Sequence, residues 1–111
     1  MTVELRKKTK SYSDLTLGQP YAVMGIEGDE FRVLNDDGRP FLYPPSLFIV
    51  IDPREPADWI SECGEDGERY AYPAALNTPG FFEDFFDDKP KAVRTFWRVV
   101  NERLATVSRA A

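Results

Sequence analysis

The fold is decided by residues 28–51, which read GDEFRVLNDDGRPFLYPPSLFIVI. Phe31 and Val33 lie on either side of a polar residue, which is typical of a half-buried strand. The Asp-Gly pair at positions 37–38 is a strong signal for a tight hairpin turn. Two consecutive prolines then separate a second apolar segment from a third. This stretch therefore predicts short antiparallel strands joined by tight turns, with no helix between them.

The strand pattern continues on both sides of this stretch. Together with the β-rich segment that begins at Tyr21, residues 18–52 are predicted to form the strands of a small barrel. Residues 59–72 contain two further strand-like segments around an acidic turn with two glycines, which predicts a second hairpin. Residues 1–17 alternate weakly and then turn polar, so we expect an edge strand or a tail, with lysines that would protect such an edge.

The period of the apolar residues changes to that of a helix in residues 78–109. Thr78-Pro79 has the residue types of a helix N-cap and first turn. Four phenylalanines follow on one side of a short helix, and a longer helix presents an apolar arc of Val93, Phe96, Trp97, Val100, Leu104 and Val107. We expect the phenylalanines to be buried against the barrel, although an exposed set could anchor a partner instead.

The length and the residue types exclude several classes of protein. The 111 residues suit one domain, 1–111, with an α+β fold. The absence of histidine, together with a single cysteine, Cys63, removes the common nucleophile systems and zinc sites. The carboxylate pairs lie in turns and on a helix face, and the acidic turn lacks the spacing of a calcium loop. We therefore expect no catalytic residues, no metal and no cofactor, and hence not an enzyme.

Residues 28–51 also resemble the second half of a Src-homology-3-like barrel. In that family an acidic turn, an aromatic strand and a glycine-containing hairpin precede the pattern apolar-Pro-x-x-apolar-apolar-x-x-apolar, which residues 43–51 match position by position. The resemblance implies that the proline ends the strand before it and that a single helical turn precedes the closing strand. Peptide-binding members form a groove from a tryptophan, a proline and a tyrosine, and Phe31, Pro44 and Leu47 stand at or near these positions.

The charge is divided unevenly along the chain, whose net charge is −5. Residues 11–88 carry four basic residues against seventeen acids, whereas both ends are basic. We therefore expect a protein-binding module whose acidic surface recognises a basic protein partner, as an immunity or inhibitor protein would. The predicted contact residues lie on the acidic tip of the second hairpin and on the groove of the resembling family: Glu65, Asp66, Glu68, Tyr70, Tyr72, Phe31 and Pro44.

Two alternatives to this function remain open on the sequence. The basic ends could contact nucleic acid beside the barrel, although the acidic net charge argues against a nucleic-acid footprint. The chain could also be a structural or assembly subunit, with its last helix docked on a second copy. No run of residues has the length and apolarity of a membrane span, residues 1–10 have no apolar signal region, and the single cysteine suits a reducing compartment, so we expect a cytoplasmic protein.

Overall fold

The computed structural model describes the backbone of residues 1–110 and the side chains of residues 1–103. This part of the chain has an α+β fold, as predicted, with seven strands followed by two α-helices. The strands are β1 (Thr2–Leu5), β2 (Tyr21–Glu27), β3 (Glu30–Leu34), β4 (Pro40–Tyr43), β5 (Phe48–Asp52), β6 (Trp59–Cys63) and β7 (Arg69–Pro73). The helices are α1 (Phe81–Phe86) and α2 (Pro90–Ala110).

The chain groups into two compact units, Met1–Tyr72 and Pro73–Ala111. The first contains most of the strand residues and the second contains both helices. That residues 1–111 form one domain stays a prediction. Leu104 and Val107, which the helical pattern placed on the apolar arc of the last helix, lie outside the residues with described side chains.

The strands of the first unit pair antiparallel in the order β4-β3-β2-β1-β5, and β7 pairs with both β2 and β6. A single 3-10 turn, Pro45–Leu47, separates β4 from β5, as the pattern of residues 43–51 predicted. The prediction of a small barrel is corrected in one respect: the sheet is not closed, because no pairing in the described residues joins β4 to β5. The 3-10 turn carries the chain away from β4, and β5 then pairs with β1 at the opposite end of the sheet order.

β1 is an inner strand, so the prediction of an edge strand or a tail in residues 1–17 was wrong. Val3 pairs with Tyr21 on one side and with Val50 on the other. Val3 and Leu5 are buried in the core of the first unit, as alternation in a strand requires. The lysines that we expected to protect an edge follow the end of β1 and lie outside the strand.

The second unit is built around phenylalanine rings. Phe81, Phe82 and Phe85 of α1 are buried, and the ring centroid of Phe85 lies 4.8 Å from that of Phe96 in α2. The burial of these three rings is confirmed, Phe86 is half-buried, and their packing against the barrel stays a prediction. These rings are therefore part of a core and are not available as an exposed anchor.

Helix α1 begins later than the sequence predicted. Its N-cap is Gly80, which has a left-handed φ of 75° that glycine adopts without steric cost. The Thr78 carbonyl accepts a hydrogen bond from the Phe81 N–H, so Thr78-Pro79 forms a turn before the helix. The prediction that Thr78 caps the helix was therefore wrong by two residues.

The longer helix keeps its apolar and basic positions apart. Ala92, Phe96 and Val100 are buried, whereas Lys91 and Arg94 are exposed. This is the amphipathic arrangement that the helical spacing predicted, except that Trp97, which was placed on the apolar arc, is 37% exposed. Within the described residues, no helix combines the length and the apolarity needed to span a membrane.

Candidate functional site

The tip of the β6–β7 hairpin is a tight turn that two glycines make possible. The Gly64 N–H donates to the Glu68 carbonyl at 2.7 Å, and the Gly67 N–H donates to the Gly64 carbonyl at 3.1 Å. Gly67 has a φ of 79°, in the region that favours glycine. The turn therefore closes the hairpin at residues 64–68, and three of these residues carry carboxylates.

The acids of this tip differ in their surroundings. Glu65 and Asp66 are exposed, whereas Glu68 is half-buried and its carboxylate accepts a hydrogen bond of 3.0 Å from the Asp66 N–H. Glu68 therefore shapes the turn, and the other two carboxylates face solvent. Glu62 of β6 is exposed on the same hairpin, and the sequence interpretation did not include it. Because it lies in a strand and apart from the acidic run at the turn, its exposure in the structure is what brings it into consideration.

The nearest cation along the chain, Arg69, is already engaged elsewhere. Its guanidinium donates to both carboxylate oxygens of Glu55 and, at 2.9 Å, to the Ser61 hydroxyl. The hydrogen bonds from Arg69 hold the pKa of Glu55 below its usual value. In the part of the chain with described side chains, no lysine or arginine forms an ion pair with Glu62, Glu65 or Asp66. We call these three residues the acidic tip; its negative charge is not neutralised locally.

Of the two tyrosines predicted to be contact residues, the structure leaves one at the surface. Tyr70 is 37% exposed, whereas Tyr72 is 5% exposed, so the prediction of Tyr72 as an anchor was wrong. The reason is Gly25 of β2, where a Cβ would lie 2.1 Å from the Tyr72 ring. Since glycine has no Cβ, the ring packs over the β2 backbone. The period of two alone does not distinguish the two tyrosines, because it places both on one face.

The Tyr72 hydroxyl is part of a buried polar network. Arg32 is 6% exposed; its Nε donates to the Tyr72 hydroxyl and its Nη1 donates to the Pro40 carbonyl, both at 3.0 Å. Its Nη2 and the Tyr72 hydroxyl both donate to Glu27 Oε1, again at 3.0 Å. The network joins β2, β3, β4 and β7 and so fixes the base of the second hairpin.

The groove residues implied by the family resemblance are only partly accessible. Phe31, Pro44 and Leu47 are half-buried, and Phe31 and Leu47 pack against the core of the first unit. The Phe31 ring centroid lies 6.2 Å from that of Phe48. Phe31 and Leu47 therefore contribute to the core as well as to the surface.

Two further tyrosines fasten the long connection between β1 and β2. The Tyr43 hydroxyl donates to Asp14 Oδ2 at 2.6 Å and accepts from Asn35 Nδ2 at 3.0 Å. The Tyr21 hydroxyl donates to Asp36 Oδ1 at 2.6 Å. The sequence pattern shows Asp36 only as one of two neighbouring acids in a turn, since nothing in its neighbours along the chain indicates these partners. These carboxylates have a structural role.

These tyrosines make the stability of the fold sensitive to alkaline pH. Burial raises the pKa values of Tyr43, Tyr72 and Tyr21 above their ordinary value of 10, and hydrogen bonds to Asp14 and Asp36 add to the effect at Tyr43 and Tyr21. The folded chain then keeps protons that the unfolded chain loses, so stability is complete below about pH 10 and falls as pH rises further. We expect urea midpoints to decrease steadily in this range. Tyr43→Phe should show a shallower decrease; an equal one would contradict this assignment.

The described side chains include no group of three or more cysteines or carboxylates placed to hold a metal ion. The arrangement provides a charged, partly aromatic surface, in which the acidic tip lies on the same hairpin as Tyr70.

Comparison with protein-family models, with curated proteins and with solved structures finds no match.

Proposed function

We propose that this chain is a non-catalytic protein-binding module whose acidic surface recognises a basic protein partner. The observation that carries the proposal is the acidic tip: three exposed carboxylates without a local cation, on the hairpin that also exposes Tyr70. Unneutralised charge attracts a partner of opposite charge over about 10 Å at moderate salt and accelerates the encounter. A tyrosine adds apolar contact area together with a hydroxyl, a combination that is enriched at interfaces.

The unneutralised negative charge of the acidic tip favours a partner whose own function depends on positive charge. A basic nuclease or toxin presents cations to an anionic substrate, and a negative hairpin that occupies those cations would block it. An immunity or inhibitor protein acts in this way. The lone cysteine, Cys63, is exposed and free, which suits a reducing, cytoplasmic location for such a protein.

We also propose that the first unit has a Src-homology-3-like architecture with an open sheet. Support comes from the long connection between β1 and β2, the 3-10 turn at Pro45–Leu47 and the return of β5 to pair with β1. This proposal concerns the fold; the proposed function depends on the acidic tip and does not require the family's peptide groove.

The function is tested by affinity capture with three matched forms of the immobilised chain. Besides the unchanged chain, one variant neutralises the acidic tip (Glu62→Gln, Glu65→Gln, Asp66→Asn). A control neutralises three exposed acids of the second unit (Glu83→Gln, Asp87→Asn, Asp88→Asn) and has the same net charge. When the three forms are incubated with proteins of the source cell, the unchanged chain and the control should retain a basic protein in a one-to-one ratio. The tip variant should retain about 10-fold less of this protein, or less still. Added salt should lower the amount retained by the unchanged chain in the same way.

Other results would contradict the proposal. Equal loss from both variants would indicate attraction to the overall charge with no defined site. Recovery of nucleic acid, lost on neutralising the exposed Lys91, Arg94 and Arg98 of α2, would favour the nucleic-acid alternative. If the immobilised chain instead retains a stable assembly, and neither variant changes the amount retained, the result would favour a structural subunit.

A further inference from the structure

The solvent-facing side of α2 carries a row of cations that is poorly neutralised. Lys91, Arg94 and Arg98 are exposed and follow one another at steps of three and four residues, which places them on one side of the helix. Among the residues with described side chains, Lys91 and Arg94 form no ion pair, and Arg98 reaches only the exposed Glu102, at 3.9 Å. An exposed pair of this kind contributes little, so the positive charge of the row is available to another molecule.

Trp97 lies beside these cations and is 37% exposed, although tryptophan is usually highly buried. At 3.6 residues per turn, the four side chains fall within about a third of the helix circumference, away from the buried Phe96. Tryptophan and arginine are the residue types that most often dominate the binding energy of protein interfaces. We call this surface the basic face; it consists of Lys91, Arg94, Trp97 and Arg98.

The acidic tip has the complementary composition. It offers three exposed carboxylates to the three exposed cations of the basic face, and its hairpin exposes Tyr70 as much as the basic face exposes its tryptophan. The two surfaces also match in length. From Lys91 to Arg98 the helix advances about 10 Å, and the chain from Glu62 to Asp66 reaches at most about 14 Å. Charge, aromatic content and size are therefore complementary.

We propose that the basic face of one copy of this chain binds the acidic tip of a second copy. The cations then pair with the carboxylates, and the Trp97 ring packs against Tyr70, so that both aromatic side chains lose part of their exposed surface. Within one copy, no ion pair joins the two surfaces in the part of the chain with described side chains. Each surface is therefore free to bind a second copy.

A second copy fits the basic face better than a nucleic acid does. The exposed Glu83, Asp87 and Asp88 come shortly before the basic face in the second unit, and the net charge of the chain is −5. Both features repel a continuous line of phosphates, which requires an extended basic footprint. The carboxylates of the acidic tip are confined to a single hairpin, and salt screens the repulsion between the other charges of two copies beyond about 10 Å.

The association also regulates the proposed function, and this part of the inference rests on that function. A second copy that covers the acidic tip occupies the surface proposed for the basic partner. At high concentration the tip is then partly masked, and only a partner that binds it more tightly displaces the second copy. Self-association therefore raises the selectivity of the tip against weakly basic proteins.

Sedimentation equilibrium of the purified full chain, from micromolar to millimolar concentration, tests the proposal. We expect self-association that weakens on the order of 10-fold or more in a face variant without the cations (Lys91→Gln, Arg94→Gln, Arg98→Gln). The tip variant described above and Trp97→Ala should each show a similar loss. Added salt should weaken the association of the unchanged chain as well.

Two matched controls should leave the dissociation constant unchanged. One is the variant described above that neutralises three exposed acids of the second unit, and it has the same net charge as the tip variant. The other neutralises three exposed cations of the first unit (Lys7→Gln, Lys8→Gln, Lys10→Gln) and has the same net charge as the face variant. Circular dichroism confirms that each variant is folded.

Mixing the tip variant with the face variant gives a second measurement. Each variant alone should be largely monomeric, but the tip variant keeps the basic face and the face variant keeps the acidic tip, so an equimolar mixture should form a one-to-one complex. A contact between unlike surfaces is restored in this way, whereas the contact of a surface with itself is not. Both variants keep a negative net charge, so overall attraction does not explain the complex.

Three results would overturn the proposal: a monomer at all concentrations, a loss of association that the controls share, or a mixture that forms no complex. All of these measurements use the purified chain and need no other protein. A failure here therefore leaves the binding of a basic partner unaffected, and a failure of the capture experiment leaves the self-association unaffected.

Discussion

Replacing Arg32 with methionine is expected to lower the free energy of unfolding by about 2 kcal/mol, the usual cost of leaving buried hydrogen-bonding groups without their donor. Methionine is apolar and of similar length, so the change removes the donors with little loss of volume. The Pro40 carbonyl, in a residue that is less than 2% exposed, then loses its donor, and an unsatisfied buried carbonyl is costly. The Tyr72 hydroxyl and the Glu27 carboxylate lose the cation that both contact.

Urea denaturation of Arg32→Met beside Arg54→Met measures this effect. Arg54 also forms an ion pair, with Asp52, but its side chain is 88% exposed, so we expect little change in that control. Equal stability of the Arg32 variant and the unchanged chain would show that the network does not hold the second hairpin in place.

Replacing Phe85 with alanine is expected to destabilise the second unit by about 4 kcal/mol, the usual cost of removing a buried phenyl ring and leaving a cavity. Phe85 is 3% exposed, and its ring contacts those of Phe82, Phe86 and Phe96. The half-buried Phe86 on the same helix is the control, and Phe86→Ala should cost less than half as much. Hydrogen exchange of the amides of α1 and the first turns of α2 measures the effect within this unit. Equal effects of the two changes would contradict the described burial.

The parts of the fold that depend on short-range signals could be predicted from the sequence. The Asp-Gly pair at positions 37–38 fixed the β3–β4 turn, and the prolines at positions 44–45 marked the 3-10 turn before β5. Position 80 shows the limit of such signals, because Thr78-Pro79 resembles a helix start while the left-handed Gly80 delays it.

The parts that depend on distant residues could not be predicted in this way. β1 is an inner strand only because β5, more than forty residues later, pairs with it. Alternation along β3 placed Arg32 on a polar face, whereas partners on other strands keep it buried. Of the candidate site, Glu65, Asp66 and Tyr70 were found from composition and turn pattern. The burial of Tyr72 depends on Gly25, which gives no signal of its own.

The inner position of β1 also determines the order in which the chain can fold during synthesis. Thr2–Leu5 leaves the ribosome before both of its neighbours, and one of them, Phe48–Asp52, follows only after some forty further residues. At about 5–20 residues per second this delay lasts a few seconds, far longer than a hairpin needs to form. The β2–β4 meander can therefore form before β5 emerges, and β1 gains its second neighbour only when β5 has been made.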